Sequence, residues 1–207
     1  MWYPYVMALP AEMQRQPERV SVAEYLAREA KAEQKHEFHD GEVLAMSGGT
    51  LRHSRINANL VGEIRDRLKG SPCFVLDSNM RVAIAATRRY FYPDATIVCG
   101  EPRFDENDPN QTTIVNPRVI VETLSASTEA YDRGEKFTHY RHLESLREYV
   151  LISQDRPAVE TFLRRDDGTW TFSSWEGAAA VARLWSLEID LPLAEVFAGI
   201  TFEGETP

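Results

Sequence analysis

The sequence predicts a single α/β domain with a mixed central β-sheet flanked by helices and extended by antiparallel hairpins. Three observations predict it. Short β-rich runs and helical stripes succeed one another through 207 residues without the regular βα alternation of a doubly wound sheet. One run, Val119-Ile120-Val121-Glu122-Thr123-Leu124, is almost continuously apolar, as in a strand covered on both faces. No Gly-x-Gly-x-x-Gly or Gly-x4-Gly-Lys loop occurs, which demotes the nucleotide-cradling folds.

Residues 1–20 show no sustained period and read as an irregular leader; residues 21–198 read as the domain and 199–207 as a tail. At Ser21-Val22-Ala23-Glu24 a capping box opens a helix, and Val22, Tyr25, Leu26 and Ala30 carry its stripe to near Glu33. Asp40-Gly41, between short extended runs in residues 36–46, favours a type I′ hairpin. Ile56, Leu60, Ile64 and Leu68 form an i, i+4 series that predicts the main helix over residues 53–69, stopped by Gly70-Ser71-Pro72. Strand-length runs follow at residues 73–77, 80–86 and 90–98, and an Asp/Asn/Pro-rich surface loop at 100–110. Residues 118–124 make the buried strand, 131–143 a helix and 147–152 another strand. Residues 158–165 and 169–175 pair around Asp166-Asp167-Gly168, and 187–197 give a strand and a last short helix with Pro192 in its first turn.

Lys and Arg number 23 against 32 Asp and Glu, a formal charge of −9 that by itself opposes binding a polyanion. Cys73 and Cys99 lie outside any Cys-x-x-Cys or His-rich context, so neither a zinc finger nor a redox pair is indicated; they read as small apolar residues of a reducing cytoplasm. The first ten residues lack a basic n-region and carry two prolines, against a signal peptide, and no apolar window is long enough to span a membrane. A cytoplasmic protein without a membrane partner is expected.

Two carboxylates interrupt apolar strands: Asp94, after Pro93, and Glu122. A buried ionised carboxylate costs several kcal/mol unless paired, hydrogen-bonded or bound to a cation. Metal coordination is one reason for such placement; a capping or salt-bridging acid at a strand end is the other. Lys136 lies on the helix directly after the Glu122 strand, where it either approaches the end of that strand or forms an ordinary i, i+4 pair with Asp132.

Pro93-Asp94, Val121-Glu122-Thr123-Leu124-Ser125-Ala126-Ser127-Thr128, Tyr131-Asp132-Arg133-Gly134-Glu135-Lys136 and Ser145-Leu146-Arg147-Glu148-Tyr149 resemble the Uma-type family of restriction-endonuclease-like proteins, in the PD-(D/E)XK nuclease superfamily. Ala23-Glu24-Tyr25-Leu26, Asp40-Gly41-Glu42-Val43 and His53-Ser54-Arg55-Ile56 match in order, so the resemblance runs over residues 21–197. It implies a restriction-endonuclease-like core, with Asp94 and Glu122 as metal-binding acids and Lys136 as the catalytic lysine. The sequence departs from the superfamily in having Leu124 two residues after the acid, where the lysine is expected, and from the family in having Ala126 where proline is common.

The implied activity is a divalent-metal-dependent endonuclease using Mg²⁺ (or Mn²⁺), acting on DNA in preference to RNA. Carboxylate-held Mg²⁺ activates water and neutralises charge growing on the phosphate, and a lysine beside it stabilises the transition state. Related nucleases often cut two strands as dimers, so a homodimer is within expectation, although no segment marks an interface. His53 is a candidate secondary ligand, its charged form disfavoured at a helix N-terminus, or else a capping or surface histidine. Glu37 and Glu42, beside the hairpin turn, are candidate further acids or solvated glutamates. Ser125, Ser127 and Thr128 are candidate phosphate-binding groups or helix caps. His139 and His142 have no third ligand near them and read as exposed; Trp170, Trp175 and Trp185 read as core or edge packing. The competing function is a catalytically silent nuclease-fold module for nucleic-acid or protein binding; a different metal-dependent hydrolase is a third.

Overall fold

The computed structural model describes residues 19–202, so the expected leader lies almost wholly outside the described residues. The expected central sheet is present and mixed: six strands in the order β11-β10-β9-β8-β6-β3, with β3 Cys73–Asp77, β6 Ala95–Cys99, β8 Val119–Thr123, β9 Glu148–Ile152, β10 Ala158–Arg164 and β11 Trp170–Glu176. Only β8 and β9 run parallel; the other neighbours are antiparallel. All five residues of β8 are buried, as its apolar run requires.

The main helix, α2 (Leu51–Arg67), is capped by Thr50, whose hydroxyl accepts from the His53 amide. Ile56, Leu60 and Ile64 are fully buried against one face of the central sheet, among Ala95, Ile97, Val119, Val121, Val150 and Ile152. A hairpin of β12 (Val181–Leu184) and β13 (Ile189–Pro192), followed by α5 (Leu193–Val196), closes the same core; β12 is a strand that the sequence pattern does not announce. Pro192 caps α5 rather than sitting inside its first turn. Ile200 and Phe202, within the expected tail, pack onto this core.

A second sheet covers the other face, which the expectation of a single central sheet with hairpins did not include. Its order is β2-β1-β5-β4-β7, from β1 His36–His39, β2 Glu42–Ala45, β4 Arg81–Ile84, β5 Arg89–Phe91 and β7 Thr113–Ile114. In the β1–β2 hairpin Asp40 (φ 48°) and Gly41 (φ 105°) both take the positive φ that a type I′ turn demands. Helix α1 (Val22–Glu29) has the full capping box but stops short of Glu33. The Glu29 carboxylate accepts from the His36 amide at 2.9 Å and from Tyr92 Oη at 2.9 Å, drawing the chain into β1.

The expected single strand over 90–98 is instead two, β5 in the second sheet and β6 in the central one. Pro93 cannot donate to a ladder, and the chain changes sheets at Tyr92-Pro93-Asp94. Asp94 therefore stands at the junction of the two sheets.

The helix expected over 131–143 is a continuous helical segment from Glu129 to Tyr140: α3 (Glu129–Tyr131), a π-helical turn (Asp132–Lys136) and α4 (Phe137–Tyr140). Cys73 and Cys99 face each other in the β3–β6 register and are joined by a disulfide, so they are not the free apolar thiols expected, and cysteine usage no longer argues for a reducing compartment. Their sequence separation of 26 hides a proximity that antiparallel pairing creates. Among the described residues no helix is long and apolar enough to cross a membrane.

Candidate active site

Between the two sheets lies a cavity of about 1050 Å³ lined by Glu37, His39, His53, Asn57, Asp94, Glu122, Thr123, Asp132 and Lys136 among others. Alternation along β8 turns Val119 and Val121 toward α2 and leaves Ile120 and Glu122 facing the second sheet. The π-helical turn carries Lys136 back over that end of β8, and its Nζ lies 2.9 Å from Glu122 Oε1. Glu37 Oε1 is 3.4 Å from the same ammonium and Asp132 Oδ1 3.6 Å. The i, i+4 pair with Asp132 thus exists, buried, alongside the approach to Glu122. All four groups are under 10% exposed: Glu37 9%, Glu122 3%, Asp132 4% and Lys136 6%.

One buried ammonium faces three carboxylates, and the acids respond differently. Burial pushes Glu122 up to about 8, with Lys136 opposing and the negative charges of Asp132 and Asp94 adding to the rise. Burial likewise raises Asp132. Glu37 is lowered: burial acts upward on it, but Lys136, His39 and the Tyr92 amide together outweigh that. The carboxylates hold Lys136 well above the usual lysine value against the opposing effect of burial.

Asp94 occupies a different setting. Its Oδ1 lies 2.8 Å from His53 Nε2 and accepts from Asn57 Nδ2 at 2.8 Å; its Oδ2 accepts from the Thr123 amide at 2.7 Å. Thr123 Oγ1 also donates to Asn57 Oδ1, so α2, β6 and β8 are laced together at this one acid. The hydrogen bond to Asp94 raises His53, outweighing burial; this corrects the expectation of a histidine held neutral by the helix dipole.

The other candidates divide. Glu37 lines the cavity and is no solvated hairpin glutamate, whereas Glu42 is exposed and does not line it. Ser125, Ser127 and Thr128 line the cavity, but Thr128 makes no side-chain cap into α3; Ser125 Oγ instead meets Thr128 Oγ1 at 2.9 Å and accepts from its amide at 3.2 Å. His139 is not exposed: its side chain is 15% accessible and Arg89 Nε donates to its Nε2 at 3.3 Å. His142 is exposed. Trp170 packs on Phe137 and Trp175 on the α2 core, while Trp185 is 52% exposed. Asn57 and Thr123 are site residues that sequence reasoning passed over.

Among the described residues no group of three or more His, Cys, Asp or Glu is disposed to enclose a metal ion. The donors do fit an open site for a hard cation. Both hydrogen-bonding partners of Glu122 fall on Oε1 (Lys136, and Tyr140 Oη at 2.8 Å), leaving Oε2 without one, and Asp94 Oδ2 has a single donor. Two oxygen ligands with vacant lone pairs suit Mg²⁺, which is commonly held by one or two carboxylates and keeps several waters.

A mixed sheet backed by a long helix, with acids from two neighbouring strands at one end and a lysine brought over them, is a restriction-endonuclease-like α/β fold. The chain superposes with a TM-score of 0.65 and 16% identity, over 83% of its length and 96% of the other chain, on the crystal structure of "a putative nuclease belonging to DUF820" from Anabaena variabilis ATCC 29413. The protein belongs to the Uma2 family, described as "Putative restriction endonuclease", which matches residues 22–194. Two relatives from Synechocystis sp. (strain ATCC 27184 / PCC 6803 / Kazusa) are similar over most of their length. "Uncharacterized protein slr1290" is 32% identical over 89% of this chain and 94% of its own. "Uncharacterized protein sll1609" is 35% identical over 78% and 90%.

Proposed function

We propose that the protein is a Mg²⁺- or Mn²⁺-dependent endonuclease that hydrolyses phosphodiester bonds, DNA in preference to RNA. The observation that carries this reading is the convergence of Asp94, Glu122 and Lys136 on one cavity, with a lone pair left vacant on each acid. The family description supports the substrate class. Asp94 and Glu122 would hold the ion, which when bound supplies Lewis acidity and acidifies a water. Lys136 presents a positive charge beside the acids, where it offsets charge growing on the phosphoryl oxygens. His53, Asn57 and the Thr123 amide fix the Asp94 carboxylate, and preorganisation of that kind spares reorganisation during the reaction.

The charge of −9 is partly local to this site, where a bound cation reverses the sign of the field. Lys35 also lines the cavity; its Nζ donates to the Ser78 carbonyl at 2.8 Å, sits 5.4 Å from the centre of the Tyr92 ring and is within ion-pairing distance of no carboxylate among the described residues. It is placed to meet a substrate phosphate.

The direct test is cleavage of supercoiled plasmid by the purified protein with Mg²⁺, Mn²⁺ or EDTA. Nicking with either ion, none with EDTA and none in a folded Asp94→Asn variant is the expected pattern; metal-independent cleavage, or wild-type cleavage by Asp94→Asn, would refute the site. A folded wild type that binds but never cleaves DNA would instead favour the silent module. Asn57→Ala should raise the Mn²⁺ concentration for half-maximal cleavage about 10- to 100-fold, the usual effect of freeing a ligand from its supporting hydrogen bond. Lys35→Ala should weaken duplex binding and reduce the slope of log K against log salt by about 0.9, the loss of one phosphate contact. An unchanged slope would remove Lys35 from the substrate path.

A further inference from the structure

The opposite end of the central sheet carries a second, differently charged hollow. Asp94 and Glu122 stand where β6 begins and β8 ends; the other end, where β6 ends and β8 and β9 begin, carries an open hollow of about 490 Å³. Arg103, Arg118 and Arg147 line it, together with Glu101, Asn116 and Ser145. Three cations against one acid is a local excess of positive charge on a chain whose formal charge is −9.

These arginines are held together by the backbone and have no ion-pair partner among the described residues. The parallel register of β8 and β9 opens at Val119 and Glu148, and the Arg147 amide donates to the Arg118 carbonyl at 2.8 Å, so Arg118 and Arg147 are immediate neighbours. Like charges placed side by side on adjacent strands repel. None of the three is among the arginines that form ion pairs in the described residues. Their backbones are nonetheless fixed. The Arg103 amide donates to Asn116 Oδ1 at 2.7 Å and the Arg118 amide to Ile97 O at 2.7 Å, while the Arg147 carbonyl accepts from the Arg164 amide at 2.8 Å. Arg118 Nε donates to Ser186 O at 3.0 Å, which aims the rest of its guanidinium. Ser145 Oγ is buried and has no hydrogen-bond partner.

Three guanidiniums without carboxylate partners, on a fixed backbone and with one of them aimed by Ser186, are complementary to an anion that carries several oxygens and more than one charge. Guanidinium forks match phosphate geometry, and the volume lies in the range of small-molecule sites. We propose that this hollow binds a phosphate ester of nucleotide size, at a site separate from the candidate active site and independent of the catalytic reading.

The test is calorimetric titration of the full chain, at low salt and without divalent metal, with a nucleoside monophosphate and with inorganic phosphate. The expected result is saturable binding of the nucleotide, tighter than that of phosphate alone. Arg147→Gln should weaken it about tenfold, the loss of one charge-assisted contact, and Arg103→Gln with Arg147→Gln should abolish it. Both residues are exposed, so neither substitution disturbs the core. The nucleotide affinity of Asp94→Asn should equal that of the wild type. No saturable binding, affinity unchanged in the double variant, or loss of binding in Asp94→Asn would each overturn the site. Equal affinity for inorganic phosphate would overturn the nucleotide-sized ligand.

Discussion

Exchanging Lys136 for methionine is expected to slow phosphodiester cleavage about 10²- to 10³-fold, the effect of losing one preorganised electrostatic group. The same substitution should lower the free energy of unfolding by about 3–5 kcal/mol, because it removes one partner of a buried ionic cluster and leaves the others uncompensated. Glu122, Glu37 and Asp132 lie 2.9, 3.4 and 3.6 Å from the ammonium, and of the three only Glu37 has a second basic group in reach, His39 Nε2 at 3.3 Å. The sign of the pH effect follows from the acids. Burial has already raised Glu122 from an ordinary 4.5 to about 8. A carboxyl raised in the folded state binds its proton more tightly there than in the unfolded chain, so it subtracts stability as pH climbs from the unfolded value to the folded one. Without Lys136 that rise is larger. Up to about 8 both folded proteins keep the Glu122 proton and the deficit from this acid is flat; above it only the wild type has released that proton, so urea unfolding of Lys136→Met should show a larger deficit relative to the wild type at about pH 9 than at about pH 7. A deficit that is the same at both, in a variant that cleaves normally, would show that Lys136 is neither the counter-ion nor the catalytic amine.

Much of this cluster is legible in the sequence, because an acid inside an apolar strand is conspicuous without any structure. Glu122 interrupts five apolar or β-branched neighbours, and Asp94 follows the one proline of a β-rich run. What that run did not disclose was its division. Residues 90–98 have the composition of one strand, and only the missing amide of Pro93 hints that the chain leaves one sheet for the other there. The second sheet was illegible for a related reason: β7 has two residues, and β1 joins β5, and β7 joins β4, only through pairings distant in sequence. Asn57 was hidden by ordinariness. A polar residue on an amphipathic helix is solvated by default, and nothing local indicates that this one meets the sheet junction. Lys136 was placed by resemblance, since helical spacing alone cannot distinguish a pair with Asp132 from an approach to Glu122, and the structure contains both. Asp108 shows the same limit outside the site. It falls in a stretch read as a surface loop, yet is 3% exposed.

Replacing Asp108 with alanine should cost about 3–5 kcal/mol of stability, the penalty of stranding one member of a buried ion pair. Arg81, also 3% exposed, donates through Nη2 to Asp108 Oδ2 at 3.0 Å, and its guanidinium carbon lies 5.8 Å from the ring centres of Tyr25 and Tyr92. Its Nε and Nη1 have no hydrogen-bond partner, so the Asp108 carboxylate is the principal compensation for a charge inside the second sheet. The same carboxylate accepts from the hydroxyls of Thr112 and Thr113, each at 2.7 Å, and from the amides of Thr112 and Asn110, each at 3.1 Å. Burial acts to raise Asp108, but the threonine hydroxyls and the charge of Arg81 outweigh it, and the folded-state value lies below the ordinary 3.8. An acid lowered on folding contributes stability that is complete above its unfolded value and is lost as pH falls through the folded one. Asp108→Asn keeps the shape and most of the acceptors but cannot ionise. It should be less stable than the wild type at neutral pH, and the difference should shrink only below about 3.8, the ordinary value. Thermal unfolding followed across that range decides the matter: a difference that stays constant into acid would mean that the loop is held by its threonine hydrogen bonds and not by the charge on Asp108.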